Sequence, residues 1–149
     1  MKYLRTYEQS NITLLDLSNK ILTKLPSLPD TIEKIYCDNN FLTSLPKLPN
    51  SLKILICNKN KLNNLPKLSK SLTYLDCQMN NLTKLPKLPD NLRYLDCRDN
   101  NLTELPELPK NLSILHCRNN NLPYYNLPSY RRWYAKTYPD RVEGEKYNL

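Results

Sequence analysis

Apolar positions recur along the chain with a fixed step. From Ile12 to Leu122 the same order of apolar and polar residues returns every 20 positions without insertion. Six units begin at Ile12, Ile32, Leu52, Leu72, Leu92 and Leu112. Each reads apolar-x-x-apolar-x-Cys-x-x-Asn-x-Leu-x-x-Leu-Pro-x-Leu-Pro. Departures are few. Leu17 stands in the Cys column and Lys20 in the Asn column of the first unit, Ser69 replaces one Pro, and the sixth unit drifts out of phase after Leu122-Pro123. A fixed period of this length predicts a solenoid, in which each unit buries its apolar face only against its neighbours.

Each column has a physical reading. The pair Leu95-x-Cys97 has period 2, which predicts a short strand with alternate residues inward. Such a strand recurs once per coil at about 4.7–4.9 Å, so six coils give a parallel sheet roughly 25 Å across. The Asn column (Asn40, Asn60, Asn80, Asn100, Asn120) sits where the chain leaves the strand and turns inward. A carboxamide there supplies donors and an acceptor to backbone groups that the turn leaves unpaired. The Leu-Pro-x-Leu-Pro return cannot be an α-helix, because two prolines three apart remove donors and fix φ. Extended, polyproline-like chain fits that segment.

These units, of which LRYLDCRDNNLTELPELP (Leu92 to Pro109) is one copy, resemble the leucine-rich repeat family. The 20-residue length and the LPxLP return are similar to the short bacterial-effector subtype. The resemblance implies a curved solenoid with its parallel sheet on the concave face and an extended convex face. Effectors of that subtype often carry a ubiquitin-ligase domain after the repeats and a helical hairpin before them. Residues 1–11 are too short for the hairpin, and no such domain is expected in a chain that runs to Leu149. The domain reading is therefore an N-terminal cap segment over 1–11, six repeats over 12–123, and an aromatic C-terminal cap and tail over 124–149.

Composition sharpens this picture. Leu supplies 30 of 149 residues and Asn 20, while Gly and Ala occur once each, at Gly144 and Ala135. Glycine-rich phosphate loops and dinucleotide-binding turns need glycines where the backbone approaches a ligand, so they are not expected. With one histidine and no Cys-x-x-Cys, metal fingers are poorly served. The Asn, Lys, Ile and Tyr bias is similar to that of leucine-rich repeat proteins of amoebae and of the giant viruses that infect them, a likeness of composition only.

No apolar run is long enough for a transmembrane helix, and the start, MKYLRTYEQSN, has no apolar core of a secretory signal. The five cysteines, an odd number, favour a reducing cytoplasmic setting (a host cell's, if the source is viral) with thiols kept free. They occupy one inward column: Cys37, Cys57, Cys77, Cys97 and Cys117. In-register side chains run parallel, whereas a disulfide needs them to turn together, so a ladder of small buried hydrophobes is expected. A thiolate metal wire is opposed by the cost of ionising in an apolar core. Asn11, Asn81, Asn101 and Asn111 begin glycosylation sequons; they read as by-products of the repeat.

A solenoid needs both ends covered. Tyr3, Leu4 and Tyr7 are candidates at the start. At the other end seven aromatics fall within 124–149. In PSYRRWYAKTYPD, Ser129 is the expected N-cap of a helix that aligns Tyr130, Trp133, Tyr134 and Thr137 on one face. Pro139 is expected to stop it, and the polar tail from Arg141 to fray. The competing reading is an exposed aromatic-basic peptide in which Arg131, Arg132 and Lys136 hold a nucleic acid.

The outward strand residues form a grid. Its first column is Leu14, Lys34, Ile54, Tyr74, Tyr94, Ile114, its second Asp16, Tyr36, Ile56, Asp76, Asp96, His116, and its third Ser18, Asp38, Asn58, Gln78, Arg98, Arg118. A contiguous apolar and aromatic patch marks an interaction site, and Tyr and Arg are enriched at binding hot spots. The expected function is non-enzymatic protein binding, anchored by Tyr36, Ile54, Ile56, Tyr74, Tyr94, Arg98 and Arg118. Asp76, Asp96 and His116 are expected to add polar specificity. The alternative for these outward residues is that β-propensity alone selects Tyr and Ile. The Asp76, Asp96 and His116 row is also a conceivable cation or acid-base site, but an open sheet excludes no water and offers no nucleophile. No cofactor is implied. A net charge of +8 and the convex columns Lys47, Lys67, Lys87, with Lys24, Lys70, Lys84 and Lys110 nearby, leave an electrostatic nucleic-acid binder as the runner-up. No membrane partner is expected, and self-association through the exposed edges or faces is open.

Overall fold

The computed structural model describes residues 12–146, with side chains to residue 142. The expected N-terminal cap residues Tyr3, Leu4 and Tyr7 lie outside the described residues, as does Tyr147. Six three-residue strands, β1 (Leu14–Asp16), β2 (Lys34–Tyr36), β3 (Ile54–Ile56), β4 (Tyr74–Asp76), β5 (Tyr94–Asp96) and β6 (Ile114–His116), form one parallel sheet in chain order. Pairing is in strict 20-residue register, Ile54 opposite Tyr74 and Tyr74 opposite Tyr94. The sheet lines the concave face of the solenoid that the repeat predicts. No helix or strand forms in the returns between strands, as the paired prolines require.

The core is a set of ladders. Leu15, Ile35, Leu55, Leu75, Leu95 and Leu115 point inward from the strands, with the cysteines behind them and the leucines of the returns opposite. The leucines of the middle coils are sealed, whereas Ile12, Leu17, Leu22, Leu25 and Leu28 of the first coil, and Leu105, Leu108 and Leu122 near the last, are only partly covered. That gradient is what a stack predicts, since a coil is buried by the neighbours on both sides. All five thiols are free and buried.

The asparagine ladder joins consecutive coils. Asn100 Nδ2 donates to the carbonyls of Cys97 and Arg98 in its own coil (3.2 and 3.1 Å) and of Cys77 in the coil before (3.1 Å). Its Oδ1 accepts from Leu82 N–H at 2.9 Å. Asn60, Asn80 and Asn120 repeat the set. Where Ser69 replaces proline, its hydroxyl donates to Asn50 O at 2.6 Å and accepts from Ser71 N–H, so the return keeps its path.

One turn residue per coil is left-handed without glycine. Asn19, Asn39, Lys59, Met79, Asp99 and Asn119 have φ between 52 and 58°. Asn and Asp tolerate this region; Lys59 and Met79 adopt it against side-chain sterics. Ile21, β-branched and 78% exposed, also has φ 59°. It follows Lys20, which lacks the ladder carboxamide and instead donates its N–H to Asn40 Oδ1.

The C-terminal end departs from the expected boundaries. Helix α1 (Leu127–Thr137) is capped by Asn126, not Ser129: Asn126 Oδ1 accepts from Ser129 N–H, and Ser129 Oγ accepts from Asn126 N–H, both at 3.0 Å. This capping box satisfies two donors reciprocally, with Ser129 at its third helical position. Pro139 ends α1 but also opens α2 (Pro139–Lys146), so the tail from Arg141 onward is helical through Lys146 rather than frayed. Proline at a first helical position loses no bond there. Tyr130 and Trp133 pack against the core and on buried Tyr124, at ring-centroid distances of 4.9 and 5.0 Å, so α1 is a capping helix. Tyr134 is half-covered, and Thr137 is exposed with its hydroxyl donating to Trp133 O. Arg131, Arg132 and Lys136 are exposed. The chain before α1 also covers the last strand edge: Cys117 N–H donates to Tyr125 O, and His116 bridges Asn126 antiparallel. These contacts cover part of that edge.

Candidate partner-binding face

Period 2 sends one residue before and one after each inward leucine onto the concave face, and the 20-residue register stacks them. How deep each lies depends on its neighbours. Ile54, Tyr74 and Tyr94 are half-buried in the first column, while the terminal Leu14 and Ile114 are 45% and 44% exposed. Tyr36 and Ile56 are half-buried in the second column. The rings of Tyr74 and Tyr94 stack face to face, 4.2 Å apart and within 2° of parallel. His116 and Tyr94 meet in an edge contact, with ring centroids 5.9 Å apart. Burial, and then a hydrogen bond with Tyr74, push the Tyr94 phenol above its ordinary pKa. The anchors expected from the sequence therefore lie side by side, with two rings already in contact.

The acidic residues of the second column have a local task that the pattern alone did not reveal. Asp16, Asp76 and Asp96 each accept, through Oδ1, the backbone N–H two residues on: Ser18, Gln78 and Arg98 at 3.0, 3.2 and 3.2 Å. Such Asx turns hold the chain as it leaves the strand. The Ser18 N–H keeps Asp16 below the ordinary carboxylate range. Asp76 is buried, and loss of water raises its pKa against the lowering bonds from Gln78 N–H and Asn58 Nδ2.

Asp96 is covered completely and is taken up by Arg98. Arg98 Nε donates to Oδ1 and Oδ2 (2.9 and 3.1 Å), and Nη2 donates to Oδ2 at 2.6 Å. This bidentate pair fixes the guanidinium at the C-terminal side of the face. The row Asp76, Asp96, His116 is thus in register but differently committed. Asp76 bonds Asn58, Asp96 bonds Arg98, and His116 is exposed. No three metal-ligating side chains converge among the described residues.

Asp16, Lys34 and Asp38 stand at the first two coils. Arg98, paired with Asp96, and Arg118, without an ion pair among the described residues, stand at the last two. Beside them Tyr125, 62% exposed, joins the face from the capping segment. Arg98, His116, Arg118, Tyr125 and Asn126 line an open cleft of about 280 Å³. The repeat pattern could not place Tyr125 there, because the sixth unit has drifted out of phase. Met79 and Phe41, 46% exposed each, are further apolar groups on the turns, and Lys61 lies over the Phe41 ring at 5.0 Å. On the opposite side Lys47, Lys67 and Lys87 are all exposed.

No protein-family model matches the sequence, and no curated protein matches it either. Solved structures do. The Shigella effector leucine-rich repeat domain is 39% identical with a TM-score of 0.75, over 76% of this chain and 52% of that one. YopM, the leucine-rich effector of Yersinia pestis, is 41% identical with a TM-score of 0.71, over 74% of this chain and 32% of that one. YopM of Yersinia enterocolitica WA-314 is 37% identical with a TM-score of 0.65, over 67% and 25%. The chain thus spans between a quarter and about half the length of these proteins. With the period, the parallel sheet and the extended returns already described, these likenesses place the chain in the leucine-rich repeat family, among repeats of the bacterial-effector kind.

Proposed function

We propose that this protein is a non-enzymatic interaction module that holds a protein partner on its concave face, in the cytoplasm of the cell where it acts. One observation carries the reading. Tyr36, Ile54, Ile56, Tyr74 and Tyr94 lie contiguously on four consecutive strands, half-buried, and are flanked by fixed Arg98 and free Arg118. Rigid aromatic and aliphatic side chains lose little entropy on binding, and guanidinium groups add directional bonds at the rim. Asp76 and Asp96 act through the turns and Arg98 that they hold, while His116 and Arg118 reach a partner directly. The effector likeness supports a protein partner as the general class.

The test is affinity capture from nuclease-treated lysate, comparing the native chain with Tyr36→Ala/Tyr74→Ala/Tyr94→Ala at matched thermal stability. A protein retained only by the native chain is the expected result; equal capture by both sinks the proposal. A second reading, electrostatic nucleic-acid binding, is favoured by the exposed lysines 47, 67 and 87, none of which forms an ion pair within the described residues. It predicts binding that disappears with nuclease and falls steeply with salt.

A further inference from the structure

The cleft at the C-terminal end of the concave face has the chemistry of an anion site. We propose that it receives a phosphoryl group carried on a side chain of a peptide partner. Two of its five lining residues are arginines and none is a carboxylate. The carboxylate of Asp96 is buried and occupied by Nε and Nη2 of Arg98, which leaves Nη1 of the same guanidinium uncommitted to it. Asp99, in the turn beside Arg118, already accepts from Asn119 Nδ2 at 2.7 Å. Arg118 is exposed and has no ion pair within the described residues.

Every residue that lines this space carries a side-chain group able to donate a hydrogen bond: Arg98, His116, Arg118, Tyr125 and Asn126, the last with its Oδ1 held by Ser129 N–H. Arg98 is already ordered by Asp96, so a ligand does not bear the cost of immobilising it. Arg98 is neutralised by Asp96 and contributes a directional donor, while Arg118 contributes the uncompensated positive charge. A phosphomonoester, with about −1.5 to −2 charge at pH 7 and three acceptor oxygens, uses both better than a carboxylate does.

The neighbouring surface favours a peptide over a nucleic acid. Tyr74 and Tyr94 present faces to each other and Tyr94 also meets His116 in an edge contact, so the faces that stack together are not free platforms for bases. An extended peptide crossing the strands would place apolar side chains on Tyr94, Tyr74 and Ile54 while its phosphate enters the cleft. The proposal rests on the concave-face reading for its choice of a peptide.

The test titrates the ¹⁵N-labelled full chain with acetyl-Ala-phosphoserine-Ala-amide, the same peptide without phosphate, inorganic phosphate, and a ten-residue oligothymidylate. The phosphopeptide is expected to shift the amides of Arg98, His116, Arg118 and Tyr125. Its affinity should fall at least tenfold in Arg118→Gln, fall in His116→Gln, and stay unchanged in Lys67→Gln, with native amide spectra elsewhere. Equal response to the unphosphorylated peptide, or undiminished affinity in Arg118→Gln, overturns the site. Inorganic phosphate binding as tightly as the phosphopeptide overturns the peptide, and tighter binding of the oligothymidylate to the same amides overturns the choice of ligand class. No captured partner is needed here, so failure of this site and failure of the triple-tyrosine test are told apart.

Discussion

Replacing Asn100 by alanine removes one small side chain and four hydrogen bonds. Leu82 N–H, now buried, loses its acceptor, and the carbonyls of Cys77, Cys97 and Arg98 lose a common donor. A buried donor without a partner costs about 1–3 kcal/mol, and each lost bond about 0.5–1.5 kcal/mol net. The Cys77 and Cys97 carbonyls keep bonds from Asn80 Nδ2 and Asn120 Nδ2, and Arg98 O keeps the Met79 N–H, so the expected loss is about 3–5 kcal/mol. That is a large part of the ~5–15 kcal/mol typical of a folded domain. Asn120, half-covered at the last full rung, makes the same bonds where water can replace some of them, so Asn120→Ala should cost about half as much. Asn100→Asp separates geometry from chemistry. It keeps the acceptor for Leu82 N–H but faces the three carbonyls with an oxygen, so at neutral pH it should be at least as damaging as alanine. Urea unfolding followed by far-UV circular dichroism measures all three. A loss below about 1 kcal/mol for Asn100→Ala, or an Asp variant as stable as the native chain, would refute the ladder as the joint between coils.

Three further outcomes follow from the same geometry. Burial pushes the thiols of Cys37 and Cys117 up to about 12 and raises those of Cys57, Cys77 and Cys97 as well. The folded state therefore keeps protons that the unfolded state releases near pH 9, and stability should fall as pH rises above 9, by about 1.4 kcal/mol per unit per thiol. A urea midpoint that is flat from pH 8 to 10.5, or rapid reaction of the native thiols with a disulfide reagent at pH 8, would contradict this. Met79→Asn and Ile21→Asn place a tolerant residue at φ 53° and 59° and should each stabilise the protein by about 1 kcal/mol; lower thermal midpoints would count against the strain. Arg98→Met strands the buried Asp96 carboxylate and should cost about 2–3 kcal/mol, less than a fully buried pair because Arg98 is 25% exposed, whereas Arg118→Met should be nearly neutral. Equal stability of the two variants would show that the Asp96 pair has no structural weight.

Much of this was legible because a repeat turns one local rule into six. The inward leucines, the thiol column and the carboxamide column follow from a period that leaves each side chain one place to go. Depth was not legible. Ile54 and Ile114 hold the same position in the pattern, yet one is half-covered by flanking strands and the other stands at the end of the sheet. The Asx turns of Asp16, Asp76 and Asp96 escaped because a carboxylate beside a strand reads equally well as a ligand or as a cap. The left-handed turns escaped because glycine, their usual marker, is missing from them. At the C-terminal end the period is lost, and with it the register that would have set Tyr125 beside Arg118. The boundary of α1 moved for a related reason: Asn126 and Ser129 are both good caps, and their reciprocal bonds become visible only when both are placed.

The central claim is that the concave face carries the partner. The most direct measurement is site-specific photocrosslinking in intact cells, with a benzoylphenylalanine at Ile56 on that face and, in a second chain, at Lys67 on the convex side. One discrete protein adduct is expected from position 56 and none from position 67. Adducts from position 67 alone, or the same adducts from both, would contradict it.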